Sequence, residues 1–257
     1  MSKKNDLDQY YTRPEIAEWC WRKVEKFVGL DFNFIEPSAG TGAFLQKPLN
    51  IEAFDLEPKC EGVVKCDFLD KPCSYMKGKV VVGNPPFGWA SALAMKFLNH
   101  CKEAEYVCFI LPRTFMKEVF QQGVDENLHL IFQEELPKNS FILDGGYYDV
   151  PCCFQIWKRK GYKRPTLNIE EYVAIGNKGD YNLRRVGGRA GVFVSDEDYT
   201  PSTTYKVKCT LEVKSLIEYL YPEIKKVASQ TAGVRSITVK EINYILTKYN
   251  KGILYEL

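Results

Sequence analysis

The tetrapeptide Asn84-Pro85-Pro86-Phe87, directly after the apolar run Val80-Val81-Val82-Gly83, is the part of this sequence best suited to chemistry. Two consecutive prolines stiffen the backbone and delete two N–H donors. Acceptors remain at the tip: the Asn84 side-chain oxygen and the Pro85 carbonyl. Such a pair fits an exocyclic amine conjugated to an aromatic ring. The lone pair of that amine is delocalised, and two acceptors on its N–H groups localise it. They also stabilise the positive charge that develops as the nitrogen takes a methyl group. Phe87 offers a face on which the ring would stack, in line with an electrophile. No strong base is required, because the methylated ammonium is acidic, which suits a chain with two histidines, His100 and His129. A rigid Pro-Pro turn beside a core phenylalanine is the plain structural alternative.

Three carboxylates occupy comparable points upstream. Glu36 opens Glu36-Pro37-Ser38-Ala39-Gly40-Thr41-Gly42, whose glycines let a backbone approach a ligand closely. A carboxylate in such a turn repels a dinucleotide pyrophosphate but pairs with an ammonium. S-adenosylmethionine carries an α-amino group and a sulfonium and has no phosphate, so the charge points to that cofactor and away from NAD. Asp55 ends the run Ile51 to Phe54 and is placed to accept hydrogen bonds from two ribose hydroxyls. Asp67 would accept from the cofactor's adenine amino group while Phe68 stacks on the ring. The same dipeptide also suits a helix N-cap followed by a core Phe.

Elements that would position these groups are legible as alternating β and helical stretches. Strands are expected at 33–36, 51–54, 63–65, 79–83 and 106–111, with a helix over 90–101. Alternation of this kind argues for a doubly wound, mostly parallel α/β sheet, with ligands beyond the carboxyl ends of its strands. The runs 130–136 and 152–158 read as two strands joined by a loop, an antiparallel end to the sheet. Past Lys160 the pattern weakens into a glycine-marked, loop-rich stretch, then two amphipathic helices, 211–220 and 239–249. A catalytic domain over 1–160 and a small C-terminal region over 161–257 are therefore expected.

The 257 residues, 45% hydrophobic and 26% charged, suit one large domain with a small appendage. Nine scattered cysteines form no CxxC pair, so structural zinc is not expected, and no metal site is assigned. The opening residues lack an apolar signal core and no run approaches about 20 apolar residues. A cytoplasmic protein with reduced cysteines and no membrane span is the expectation. Net charge is +2, yet residues 158–189 hold nine basic against three acidic side chains, which leaves the remainder at −4. That basic segment suits a phosphate backbone or, equally, a solvated surface. Within it, Arg184-Arg185-Val186-Gly187-Gly188-Arg189 offers guanidinium forks for phosphates or base edges. Tyr162, Tyr172 and Tyr181 nearby would stack on bases or pack.

Taken together, these residues resemble the amino-methyltransferases of the class I, Rossmann-like S-adenosylmethionine fold, and above all the adenine-N6 DNA methyltransferases of restriction-modification systems and phages. Asp8-Gln9-Tyr10-Tyr11-Thr12-Arg13-Pro14 looks like that group's N-terminal cofactor motif, Glu36 to Gly42 like its cofactor loop, and Asn84 to Phe87 like its catalytic motif. Their order matches the γ class, over roughly 8–159. The resemblance implies cofactor contacts from Tyr11, Thr12, Pro14, Glu36, Pro37, Ser38, Gly40, Asp55, Asp67 and Phe68. It also implies a target amine held by Asn84, Pro85, Pro86 and Phe87, a flipped base, and DNA contacts from Arg184, Arg185 and Arg189. A second aromatic wall is expected from Phe141 or Phe154. The family often carries Tyr at the fourth catalytic position; Phe shifts some weight to RNA. The alternatives are an RNA amino-methyltransferase acting on adenine N6 or guanine N2, a protein glutamine methyltransferase, and a degenerate fold used only for binding.

Overall fold

The computed structural model describes residues 10–47 and 50–252. Asp8 and Gln9 of the opening motif lie outside them. The chain divides into two units: Met1–Met116 with Gln121–Pro165, and Lys117–Phe120 with Thr166–Leu257.

In chain order the first unit contains β1 (Tyr11–Thr12), α1 (Pro14–Phe27), β2 (Phe34–Glu36), β3 (Ile51–Asp55), β4 (Val63–Lys65), β5 (Val80–Gly83), α2 (Ala92–His100) and β6 (Tyr106–Pro112). After the short helix α3 (Glu118–Gln121) come β7 (Leu128–Glu135), β8 (Phe141–Leu143), β9 (Gly146–Tyr148) and β10 (Cys152–Arg159). Seven strands form one sheet in the order β4-β3-β2-β5-β6-β10-β7. From β2 the chain winds outward through β3 and β4, and from β5 in the opposite direction through β6. That reversal of strand order between β2 and β5 is the one expected of a doubly wound sheet. Its antiparallel character comes from β10 alone, which pairs antiparallel with both neighbours, β6 and β7.

The central strands read as unbroken apolar runs because both their faces are covered. Val80, Val81 and Val82 are fully buried, as are Val107 to Leu111; in β10 Cys153 to Trp157 are buried too, with the polar Gln155 among them. Helix α1 begins at Pro14, whose missing N–H costs nothing at a helix start. It buries Ile16, Ala17, Cys20, Trp21 and Val24 along one stripe. Trp21 packs edge-on against Phe34 and donates its Nε1–H to the Phe44 carbonyl at 3.1 Å, tying α1 to the glycine loop.

The loop expected between β7 and β10 holds a hairpin instead. Strands β8 and β9 pair with each other, and β8 pairs with β1, as a separate three-stranded sheet. Pairing across some 130 residues places Thr12 beside Phe141.

The second unit is more regular than its glycines suggested. Strands β11 (Ala174–Ile175), β12 (Tyr181–Arg184), β13 (Phe193–Val194) and β14 (Thr204–Lys208) form an antiparallel sheet in the order β11-β14-β12-β13. Helices α4 (Leu211–Tyr219), α5 (Tyr221–Ser229) and α6 (Val239–Asn250) follow. Leu183, Val207, Ile217, Ile224, Ile242 and Leu246 share its core. Lys117 belongs here because its ammonium forms a buried ion pair with Glu241 at 3.1 Å and donates to the Ser236 carbonyl at 2.8 Å. Glu241 also closes the capping box of α6 with Thr238. Replacing Lys117 with methionine would strand that carboxylate, and we expect a loss of about 3–5 kcal/mol in urea unfolding.

Candidate active site

The termini of β2, β3 and β5 meet where the strand order reverses, and a cavity of about 430 Å³ opens there. Every expected cofactor and catalytic residue except Pro14 lines it. Pro14 instead starts α1 and reaches the site only by anchoring the chain that carries Tyr11 and Thr12.

Glu36 ends β2 with 1% of its surface exposed. Its carboxylate accepts the Ser38 backbone N–H at 3.0 Å. Burial, with a smaller push from Asp55, raises its pKa to about 8. The space for this carboxyl exists because residue 83 is glycine: a Cβ there would collide with both Glu36 oxygens. Asp55, at the tip of β3, accepts the Gly40 N–H at 2.7 Å and the Glu57 N–H at 2.8 Å. One contact per oxygen fixes the loop and leaves lone pairs for hydroxyl donors. Gly40 takes φ +52°, and a Cβ on it would press on the Tyr11 ring at 3.1 Å. Asp67 caps a short 3₁₀ turn by accepting the Leu69 N–H at 2.9 Å. Phe68 is 1% exposed and stacked on Phe97, so the capping and core readings of this pair hold alongside its place in the cavity wall.

Asn84 is held from two sides. Its backbone carbonyl accepts the Ser38 hydroxyl at 3.1 Å, and its side-chain Nδ2 donates to the Tyr10 carbonyl at 3.0 Å. The second bond fixes which way the amide points. Oδ1 is shielded from solvent and has no hydrogen-bond partner among the described residues. A buried acceptor left unmatched costs free energy, so it marks a place where a donor from outside is expected. Phe87 lies beside it, 8% exposed, inclined by 27° to Tyr10 at 6.4 Å and edge-on to Phe141 at 6.4 Å.

Neither candidate for a second aromatic wall lines the cavity. Phe141 is fully buried behind Phe87, and Phe154, on β10, packs edge-on against Trp19. The aromatic groups at the opening are Tyr10 and Trp89, neither chosen from sequence. Tyr10 precedes an expected cofactor residue and Trp89 stands two places after Phe87, so adjacency was the available signal. Behind Trp89 the turn is strained: Ala90 (φ 50°) and Ser91 (φ 66°) both sit in the left-handed region, at about 1–2 kcal/mol each.

The arginine cluster is committed locally. Arg184 donates to the Thr203 hydroxyl at 2.7 Å and the Asp198 carbonyl at 2.8 Å. Arg185 donates to the Ser202 carbonyl at 2.8 Å and covers the Tyr205 ring. Arg189 is exposed and faces Asp198 at 3.7 Å. Elsewhere in the basic segment Arg159 meets Glu103, Lys163 meets Glu126, and Arg164 donates to the carbonyls of Gln121 and Val124.

No protein-family model matches the sequence, and no curated protein matches it either. Among solved structures, the chain is similar to one described as the modification subunit of a type I restriction enzyme from Vibrio vulnificus YJ016, at 16% identity and TM-score 0.45, over 60% of this chain and 45% of that one. It is also similar to one described as an RNA methyltransferase from Pyrococcus horikoshii, at 15% identity and TM-score 0.48, over 62% and 90%. A third is the 23S rRNA methyltransferase ErmE, at 15% identity and TM-score 0.41, over 60% and 71%. The chain thus spans less than half the length of the restriction-enzyme subunit. Among the described residues, no cluster of three or more His, Cys, Asp or Glu is placed to hold a metal, and no helix is long and apolar enough to cross a membrane.

Proposed function

We propose that this chain transfers a methyl group from S-adenosylmethionine to the N6 amino group of adenine in DNA. The observation that carries this reading is Asn84 Oδ1, a buried acceptor with no partner among the described residues, on the wall of a cavity that also presents three carboxylates at strand ends. The donor set fits the cofactor. Glu36 would take the ammonium, Asp55 the ribose hydroxyls and Asp67 the adenine amine, with Phe68 beside the ring. When bound, S-adenosylmethionine supplies an electrophilic methyl group on a sulfonium.

The protein's share of the chemistry is to prepare the nucleophile. Tyr10 holds the Asn84 amide so that its oxygen, and not its NH2, meets the incoming amine. That oxygen and the Pro85 carbonyl accept the two N–H groups and localise the nitrogen lone pair. Phe87 sets the base plane, and the surplus proton passes to water. On this reading the base is extruded from its stack, at a cost of a few kcal/mol offset by stacking in the pocket. Of the three arginines proposed to meet DNA, Arg189 is the most accessible, while Arg184 and Arg185 would have to give up internal partners.

The test is product identification. Purified protein is incubated with methyl-labelled S-adenosylmethionine and, in parallel, duplex DNA, ribosomal RNA and a protein extract, then each is digested. Label in N6-methyladenine from DNA is expected. Label confined to RNA or to protein glutamine would refute the reading.

A further inference from the structure

We propose that the mouth of the cavity is a stacking platform for an unpaired nucleic-acid strand, with Trp89 and Tyr148 each taking a base that flanks the target. This rests on the nucleic-acid reading above and adds how the strand is presented.

Two exposed aromatic surfaces lie at or next to the cavity: Trp89 in its lining, and Tyr148 one ring beyond the lining residue Tyr10. Trp89 lines the cavity yet is 85% exposed. An indole is among the largest apolar surfaces a side chain can bury, and folding normally covers it. Here the left-handed Ala90 and Ser91 turn the chain immediately behind it, so the fold accepts backbone strain where it leaves the indole in solvent. Tyr148, 44% exposed, lies face to face with Tyr10 at 5.5 Å and 12°. Tyr10 in turn lies over Phe87, its ring inclined by 27° at 6.4 Å. Three rings therefore run in sequence from the catalytic tetrapeptide out to solvent. All of β9 is exposed, and beside Tyr148 the Tyr147 ring lies under the Arg13 guanidinium at 4.1 Å.

Flat aromatic faces at a pocket mouth suit nucleobases, each of which has a π-face of its own. Within a duplex both faces of a base are covered by its neighbours. Rings such as these reach only bases that are splayed out, as in single strands, loops and bulges. The basic side chains of residues 158–189 are largely engaged internally, which leaves stacking a large share of the grip.

Binding of a fluorescently labelled 12-nucleotide strand with one central adenine, as DNA and as RNA, tests this. The unpaired strand is expected to bind at least about tenfold tighter than the same sequence annealed to its complement. Trp89→Ala and Tyr148→Ala should each weaken binding about tenfold, the scale of one lost stacked base. The slope of log affinity against log salt should stay unchanged, because no phosphate contact is removed. Trp89→Phe and Tyr148→Phe should recover most of the loss. Acrylamide quenching gives a second measure: the bound strand should shield an indole in the wild type and not in Trp89→Phe. Alanine variants that bind like the wild type, an annealed duplex bound as tightly as the strand, or a reduced salt slope would each overturn the platform. If those results came with labelled N6-methyladenine still formed in DNA, the platform alone would fall. Label found only in protein would remove both.

Discussion

Asn84→Ala lowers turnover by at least about a hundredfold and leaves cofactor affinity within about twofold. The figure is the scale for removing one preorganised group that acts on developing transition-state charge. The geometry makes the two readouts separable. The bond from the Ser38 hydroxyl ends on the Asn84 backbone carbonyl, which alanine keeps, so the Glu36–Gly42 loop retains its tie to the end of β5. What disappears is Oδ1, the acceptor with no partner among the described residues, and the Nδ2 bond to Tyr10. Asn84→Asp retains an acceptor but sets a carboxylate against the Tyr10 carbonyl, so intermediate turnover is expected. Single-turnover rates with saturating labelled cofactor, beside calorimetric cofactor binding, give both numbers. An alanine variant of near-normal rate removes Asn84 from the reaction.

Glu36→Gln stabilises the fold and weakens the cofactor. The sign follows from the raised pKa. Between pH 4.5 and about 8 the folded chain keeps a proton on Glu36 that the unfolded chain has released. Stability from this group therefore falls as pH rises through that window. A shift of this size corresponds to a penalty on the order of 4–5 kcal/mol once the pH exceeds 8. Denaturant unfolding should show the wild type losing about 2–3 kcal/mol more than Glu36→Gln between pH 6 and pH 8. Cofactor affinity should move the other way. An ammonium is held by the carboxylate, so below pH 8 binding must expel the proton, and affinity should rise with pH by up to about tenfold per unit. The rise should stop near pH 8, where the cofactor's own α-amino group begins to lose its charge. Glu36→Gln should bind weakly and without the rising limb. A wild-type profile flat from pH 6 to 8 would rule out this ion pair.

The residues of the candidate site that could be read from the sequence are those whose placement local chemistry determines. Each of Glu36, Asp55, Asp67 and Asn84 closes or closely follows a parallel strand, and parallel strands announce themselves as short apolar runs. What stayed hidden depends on partners distant in the chain. Tyr10 gains its place over Phe87 only when Tyr11 pairs with Ile142, and no periodicity near residue 11 encodes that pairing. Phe141 and Phe154 looked equivalent because strand phase does not say which layer covers a ring. The basic stretch read as an open patch because a count of charges omits the carboxylates and carbonyls that meet them, such as Glu103 beside Arg159. In the second unit, glycines suggested loops, whereas two- to five-residue strands are too short to show alternation.

The place of β10 between β6 and β7 has a consequence for how this protein is made. Residues 106–112 and 128–135 leave the ribosome before 152–159 exist, and the two earlier strands share no hydrogen bonds that would let them wait together as a pair. Until Arg159 emerges, β6 presents an unpaired row of amides and carbonyls where β10 will later bind, the kind of edge that recruits another chain. A chain halted within that interval is expected to self-associate through this edge, and the strand that covers it is the one running against the rest.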